Sequence, residues 1–192
     1  HELRTPIAIL KMKIEAAADK NMRSLLPDVS RLATLSEQLL DLHRLDNGAP
    51  SDRIDLAVLA RGVAADLAPV LIASGKTIEV IVERAGMIIG NTGSIERALM
   101  NLIQNAAEHG GEDVIVRVEG TSLEVQDNGG GIPIEEHQRV LEPFHRLRFR
   151  SSGTGLGLSL VKQVLDYHGG RITIADAPAS GAIVRLEFLP AP

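Results

Sequence analysis

In the stretch NLIQNAAEHG, Asn101 and Asn105 stand four residues apart in a segment that otherwise patterns as helix. Asparagine is a mediocre helix former, because its amide competes for nearby backbone groups, so a matched pair adds nothing to a helix interior. The i, i+4 spacing stacks both amides on one face, where their oxygens can converge on a group outside the helix. A second candidate is Gly153-Thr154-Gly155-Leu156-Gly157-Leu158, which precedes a helical pattern. The first turn of a helix carries unpaired N–H groups and a partial positive charge, a natural seat for phosphate. The spacing is not a dinucleotide fingerprint: leucine stands where the third glycine belongs, and the preceding stretch from Arg146 to Ser152 is basic rather than strand-like. No Walker lysine with its Ser/Thr follows, so a P-loop is equally unsupported. The third candidate, Asp127-Asn128-Gly129-Gly130-Gly131, places a carboxylate beside permissive backbone. Taken singly, each has a plain alternative: asparagines that cap or face solvent, a glycine-rich helix start, and an ordinary turn.

The composition limits what these residues can serve. With 44% hydrophobic residues and a formal net charge of -5, the chain is neither a disordered polyelectrolyte nor a polyanion binder. Aromatic residues are only 2%, too few for base-stacking platforms, so nucleic acid is not an expected partner. The absence of cysteine excludes disulfides and thiolate metal sites and suits a reducing cytoplasm. No apolar run is read as approaching the roughly 18 residues needed to cross a bilayer, and no signal peptide is recognised, so no direct membrane contact is expected. The 192 residues suffice for two small units. The chain opens on His1-Glu2-Leu3 without an initiator methionine, inside a helical pattern, as expected of a piece of something longer.

The elements that must position the candidates divide into two units. Leu3, Ile7, Leu10 and Ile14 form one helical seam, interrupted by Pro6, and Leu32, Leu35, Leu39 and Leu42 form another. Residues 1–47 are therefore expected to be an antiparallel helical hairpin. One hairpin has too little area to bury both seams, so two copies are expected to build a four-helix bundle, a homodimer through residues 1–47. Residues 48–54, with Asn47-Gly48-Ala49-Pro50 at their start, read as a linker. The second unit, 55–192, shows a helix over 55–73, a strand over 77–83, a helix through Glu108 with Ser94 as N-cap, and a hairpin of 114–118 with 122–126. A loop then runs through Phe149, followed by a helix over 155–168 and strands over 171–175 and 182–188. This mixture predicts an α+β domain, a two-layer sandwich of helices on an antiparallel sheet.

Taken in order, NLIQNA, DNGGGI at 127–132, EPFHR at 142–146 and GTGLGL at 153–158 resemble the N, first-glycine, F and second-glycine boxes of the histidine-kinase catalytic domain, a member of the GHKL (Bergerat-type) ATP-binding superfamily. HELRTP at the start resembles the phospho-acceptor box of sensor histidine kinases in two-component systems. The resemblance spans essentially the whole chain, with residues 1–47 matching an N-terminally truncated dimerisation and phosphotransfer hairpin. It implies ATP and Mg²⁺, with Asn105 as a magnesium ligand and Asn101 beside it. Neutral amide oxygens suit that ion, which keeps waters and substrate phosphates in its shell. Asp127 would accept a hydrogen bond from the adenine exocyclic amine, and Gly129 and Gly131 would let the backbone approach the base. Arg146 and Arg148 would contact phosphates from a lid over 145–154, and Gly153, Thr154, Gly155, Leu156, Gly157 and Leu158 would seat them. Phe144 is expected to anchor that lid in the core.

The resemblance also assigns a phosphoryl acceptor. A free imidazole, with an ordinary pKa of about 6.5, is largely neutral at pH 7, so a ring nitrogen of His1 is available to attack the γ-phosphorus. Glu2 would take or orient the other ring proton, and Thr5, one turn on, would support dephosphorylation of a response regulator. The implied protein is a bifunctional enzyme whose cognate partner is that regulator, the cytoplasmic portion of a parent anchored in the bacterial inner membrane. Two positions depart from the pattern. Where many members carry a lysine followed by an aromatic residue, this chain has Glu108 and His109. Glu108 cannot neutralise γ-phosphate, whereas His109 could contact phosphates or simply answer the helix dipole. The rivals are a GHKL ATPase that does conformational work without labelling a histidine, and a nucleotide-binding pseudokinase that only docks regulators.

Overall fold

The computed structural model describes residues 51–147 and 155–191, together with the single positions Met12, Ile14 and Val29. The helical hairpin expected over 1–47 thus lies outside the described residues apart from those three, of which Ile14 and Val29 are buried.

The described chain runs β1 (Asp52–Asp55), α1 (Leu56–Ala73), β2 (Thr77–Arg84), β3 (Met87–Gly90), α2 (Thr92–His109), β4 (Asp113–Glu119), β5 (Ser122–Asp127), α3 (Gly157–Tyr167), β6 (Arg171–Asp176) and β7 (Ala182–Glu187). Two short 3₁₀ turns, Ile134–Glu136 and Arg139–Leu141, fill the path between β5 and α3. The main sheet has the order β2-β4-β5-β7-β6, and β1 pairs with β3 in a separate ribbon.

Alternation explains the two layers. On β4, Val114, Val116 and Val118 are fully buried, as are Leu123 on β5 and Leu186 on β7, and all face the helices. Their neighbours face the other way, where register places Arg117 opposite Glu124 and Glu124 opposite Arg185. The carboxylate of Glu124 accepts from Arg117 at 3.2 Å and from Arg185 at 2.9 and 3.1 Å. This hydrogen bonding, led by Glu124, holds the Arg185 guanidinium above its ordinary range. Every oxygen of a nearly enclosed acid is thereby matched on the open face of the sheet.

The helices lie on the other face. Asp55 caps α1, its side chain accepting from the backbone of Ala57 (2.8 Å) and Val58 (3.2 Å). The inner stripe of α1, with Leu56, Leu59, Ala60, Val63 and Leu71, joins a single core with Ile95, Leu99, Leu102 and Ile103 of α2 and Leu160, Val161, Val164 and Leu165 of α3.

Several sequence expectations change here. The sheet is mixed, not antiparallel, because β2 pairs with β4 in parallel. The chain between them passes through β3 and α2, the length of connection that a parallel pair requires. Strand β3 was not expected, and β1 (Asp52–Asp55) overlaps the end of the stretch 48–54 read as linker. Helix α2 starts at Thr92, capped by Asn91 rather than Ser94; the Asn91 side chain accepts from the Ser94 N–H at 2.9 Å. Finally, α1 does reach spanning length and apolarity, with 18 residues at a mean hydropathy of 1.8. Its inner stripe is packed into the core against β2 and α2, as in a core helix of a folded domain.

Candidate functional site: two asparagines against a helix start

The core face of α2 is aliphatic, and the asparagines lie on its flank, both half-buried. Asn101 donates from its amide nitrogen to the Arg97 carbonyl at 2.8 Å, which leaves its oxygen free to face outward. The Asn105 amide makes no hydrogen bond with any described residue, an unusual state for a half-buried amide. Directly opposite stands the start of α3. A Cβ on Gly157 would lie 3.1 Å from Asn105 Nδ2, 3.3 Å from its Oδ1 and 3.5 Å from Asn101 Oδ1. A side chain at this position would crowd both amides, and glycine leaves the space between them and the helix start open.

The start of α3 has no side-chain cap and no acidic residue in its first turn. The N–H groups there keep their partial positive charge. Leu156, the cap residue, is 3% exposed, and Leu158 is half-buried with part of its side chain on the core, so both leucines fix the turn. The Asn105 amide and the first turn of α3 thus face one another across Gly157, a pairing that suits a phosphate with its counter-cation.

Asp127 ends β5 some way along the same edge of the domain. Its Oδ1 accepts from Gly129 N (2.8 Å) and Ala182 N (3.2 Å), tying the turn after β5 to the start of β7. The other oxygen remains for a ligand. The backbone closes on this carboxylate from two sides: a Cβ on Gly110 would stand 2.3 Å from Asp127 Cβ, and one on Gly181 would stand 2.1 Å from the Asp127 carbonyl oxygen. Gly181 also has φ +103, a conformation other residues rarely adopt. Gly129 lies against Gly110 and Gly131 against Gly181, whereas Gly130 has open space around it. Gly110 and Gly181 went unnoticed in the sequence, where Gly110-Gly111 after α2 and Gly181 before β7 look like ordinary terminators.

The remaining predicted site residues divide by place. His109 continues the stripe of Asn101 and Asn105 by four more residues and is exposed, its Nε2 4.0 Å from Glu108 Oε2. Arg146 is half-buried next to His145. His1, Glu2, Thr5, Arg148, Gly153 and Thr154 lie outside the described residues. Phe144 does not anchor the core: it is 62% exposed and has φ +66. Its backbone N–H donates to the Gly155 carbonyl at 2.8 Å, so the backbone and not the ring makes the attachment.

One buried group had no signal in the sequence. His168, just past α3, accepts from the Asn91 N–H through Nε2 at 2.9 Å, while Nδ1 lies 2.6 Å from the Val164 carbonyl. The ring is therefore neutral, with the proton on Nδ1, and burial pushes its pKa below the ordinary 6.5 against the opposing pull of the Val164 bond. This ring straps the end of α3 to the cap of α2.

A model of the family described as histidine kinase-, DNA gyrase B-, and HSP90-like ATPase matches residues 90–192, over half of the chain, including every described residue of the two glycine turns and the asparagine helix. The chain belongs to this family. Within it, the relatives are sensor histidine kinases. The chain is 34% identical over 212 residues to the sensor-type histidine kinase PrrB of Mycobacterium tuberculosis, covering 100% of this chain and 46% of PrrB. It is 29% identical over 211 residues to the alginate biosynthesis sensor protein KinB of Pseudomonas aeruginosa, covering 95% of this chain and 34% of KinB. The crystal structure of the ATP-binding domain of Mycobacterium tuberculosis PrrB superposes with a TM-score of 0.61 at 29% identity, over 74% of this chain and 98% of that domain. The chain thus spans less than half the length of these curated relatives. The two-layer domain is the GHKL ATP-binding fold of the sensor histidine kinases.

Proposed function

We propose that this chain is the catalytic portion of a sensor histidine kinase that binds ATP with Mg²⁺ along the edge from Asp127 to Gly157, and passes the γ-phosphoryl group to His1. The observation that carries the reading is the Asn105 amide, unpaired among the described residues, facing the start of α3 across Gly157. The free Asp127 oxygen selects adenine by accepting from its exocyclic amine, and the close backbone around it excludes bulkier neighbours. The α3 N–H groups and the cations at Arg146 and Arg148 hold phosphate oxygens in place.

The donor set fits the metal. The outward oxygens of Asn105 and Asn101 are hard, neutral ligands, and among the described residues no group of three His, Cys, Asp or Glu side chains is assembled to cage an ion by itself. Bound there, Mg²⁺ would supply charge neutralisation for the phosphates. In the transfer a ring nitrogen of His1 forms the N–P bond, the bond from γ-phosphorus to the bridging oxygen breaks, and ADP leaves. Glu2 takes or orients the other ring proton. Positioning supplies most of what the reaction needs, so acceptor and nucleotide can sit on separate units of residues 1–47 and 55–192 that meet for the transfer.

The phosphohistidine then serves an aspartate on a cognate response regulator, and Thr5 positions water for the reverse, dephosphorylating reaction. The working form is a homodimer through residues 1–47, the cytoplasmic part of a parent anchored in the bacterial inner membrane. ATP labelled at the γ-phosphorus tests the reading. Acid-labile, base-stable label that disappears in His1→Gln supports it. Released phosphate with no labelled protein would instead make the chain a GHKL ATPase.

A further inference from the structure

The path between β5 and α3 contains a pair of side chains that the proposed chemistry leaves unused. His145 Nε2 lies 2.7 Å from Glu136 Oε2, and both side chains are well shielded, at 17% and 20% exposure. The other Glu136 oxygen accepts from Arg139 at 2.7 Å. Glu136 closes the first 3₁₀ turn and Arg139 opens the second, so this carboxylate gathers both turns onto His145.

His145 is joined to a point of backbone strain. Phe144, the residue before it, sits in the left-handed region at φ +66, which costs a bulky side chain free energy and persists only where the surroundings impose it. The exposed ring of Phe144 gives nothing back, so the constraint must come from its neighbours. Among the described residues three are present: the Phe144 N–H donated to the Gly155 carbonyl, the His145 N–H donated to the Glu142 carbonyl at 3.3 Å across the Pro143-Phe144 turn, and the His145 side chain held by Glu136. The two strands of this neck are in close contact. A Cβ on Gly155, itself at φ +75, would lie 2.8 Å from the His145 carbonyl oxygen and 2.8 Å from the Phe144 carbonyl carbon. Two residues beyond Gly155 is Gly157, against the Asn105 amide.

We propose that Glu136 and His145 are positioning residues: their hydrogen bond holds the strained Phe144 backbone against Gly155 and so sets the start of α3 at its distance from Asn105. The inference rests on the reading of that start as the phosphate seat, and it deepens that reading by adding a device upstream, at Glu136 and His145, that sets the seat's geometry. It is independent of the identity of the phosphoryl acceptor.

Two measurements on the full chain separate this proposal from the reading beneath it. The first needs no nucleotide: amide hydrogen exchange at Phe144, compared with Val116 and Leu186 in the central sheet. In Glu136→Ala the Phe144 amide should exchange at least about tenfold faster, as expected for loss of a charge-assisted hydrogen bond, while the sheet amides stay unchanged. Glu136→Gln, which keeps an acceptor for His145, should restore most of the protection. Unchanged exchange at Phe144 in Glu136→Ala, or acceleration there only in step with the sheet, would overturn the clamp. The second is affinity for a nonhydrolysable ATP analogue with Mg²⁺. Weakening of about tenfold in Glu136→Ala with recovery in Glu136→Gln supports the clamp, and equal affinity in all three proteins refutes it. If the parent protein binds no nucleotide, the ATP-site reading falls, and the exchange at Phe144 alone still decides whether the clamp exists.

Discussion

The two ends of the candidate nucleotide edge are built on opposite plans. Around Asp127 the backbone is fixed redundantly: β5 is paired on both sides, the carboxylate is tied to Gly129 and Ala182, and Gly110 and Gly181 press against it with no room for a side chain. Around Gly155 and Gly157 the described residues show a strained residue, two backbone hydrogen bonds of a turn and one histidine–carboxylate pair along the path. The base end is rigid because the sheet enforces it. The contacts seen there among the described residues lie outside the sheet, so each can be removed without dismantling the core. The proposed function would use that contrast, with adenine met by a fixed surface while the phosphate end changes its charge in every cycle.

The largest effect should fall on the phosphate end. Asn105→Ala is expected to lower histidine labelling at least about a hundredfold, since it removes an electrostatic ligand used at the transferring group, while thermal unfolding is nearly unchanged. A collapse of stability along with activity would mean that this amide belongs to the fold after all. At the base end the order should reverse. Gly181→Val forces a Cβ into the Asp127 carbonyl at φ +103 and is expected to cost about 2–4 kcal/mol in urea unfolding, whereas Gly130→Ala, with open space around it, should be close to neutral.

Asp127→Asn makes a finer cut. It keeps the Oδ1 acceptor for Gly129 and Ala182 but turns the free oxygen into a donor, which opposes the adenine amine. Preference for ATP over GTP in competition binding should fall by about tenfold to a hundredfold with the fold intact. An unchanged preference would move base recognition elsewhere.

A smaller effect concerns the strap between the two helices. The His168 pKa is lowered by burial, so the unfolded chain takes up its proton more readily than the folded one. The stability it contributes is complete above 6.5, declines as pH falls through that value, and is gone below the depressed folded pKa. His168→Gln should flatten this part of the stability profile in urea titrations, and an identical slope would rule the strap out. The smallest effect belongs to Phe144→Gly, which relieves the left-handed strain and is expected to raise stability by no more than about 1 kcal/mol, measured by the same unfolding.

What could be read in the sequence follows the range of the forces involved. The β4–β5 hairpin and helix α2 were legible because alternation and the helical period are local. Strand β3 was not, since MIIG is too short to show a period. The parallel pairing of β2 with β4 was hidden because it depends on a crossover through α2, not on either strand. Ser94 is a capping residue type by itself, yet the cap is Asn91, whose N–H is held by the distant His168. At the site, the asparagine pair and Asp127 announced themselves by residue type. Gly110, Gly181 and the Glu136–His145 pair did not, because their meaning lies in distances to residues far along the chain. Phe144 was misplaced for the same reason, since its backbone rather than its ring is what the structure uses.

The small ribbon of β1 and β3 has a mechanical meaning. Four residue pairs join Asp52–Asp55 to Met87–Gly90, and the far end of the chain returns to the same strand through Pro190 opposite Ile88 and the Ala191 N–H on Met87. The residue after Gly90 is Asn91, the cap of the asparagine helix. Tension or torque applied ahead of Asp52 is therefore delivered not to the sheet but to a narrow splice that holds both extremities of the domain, one peptide unit from the base of the helix that presents Asn101 and Asn105.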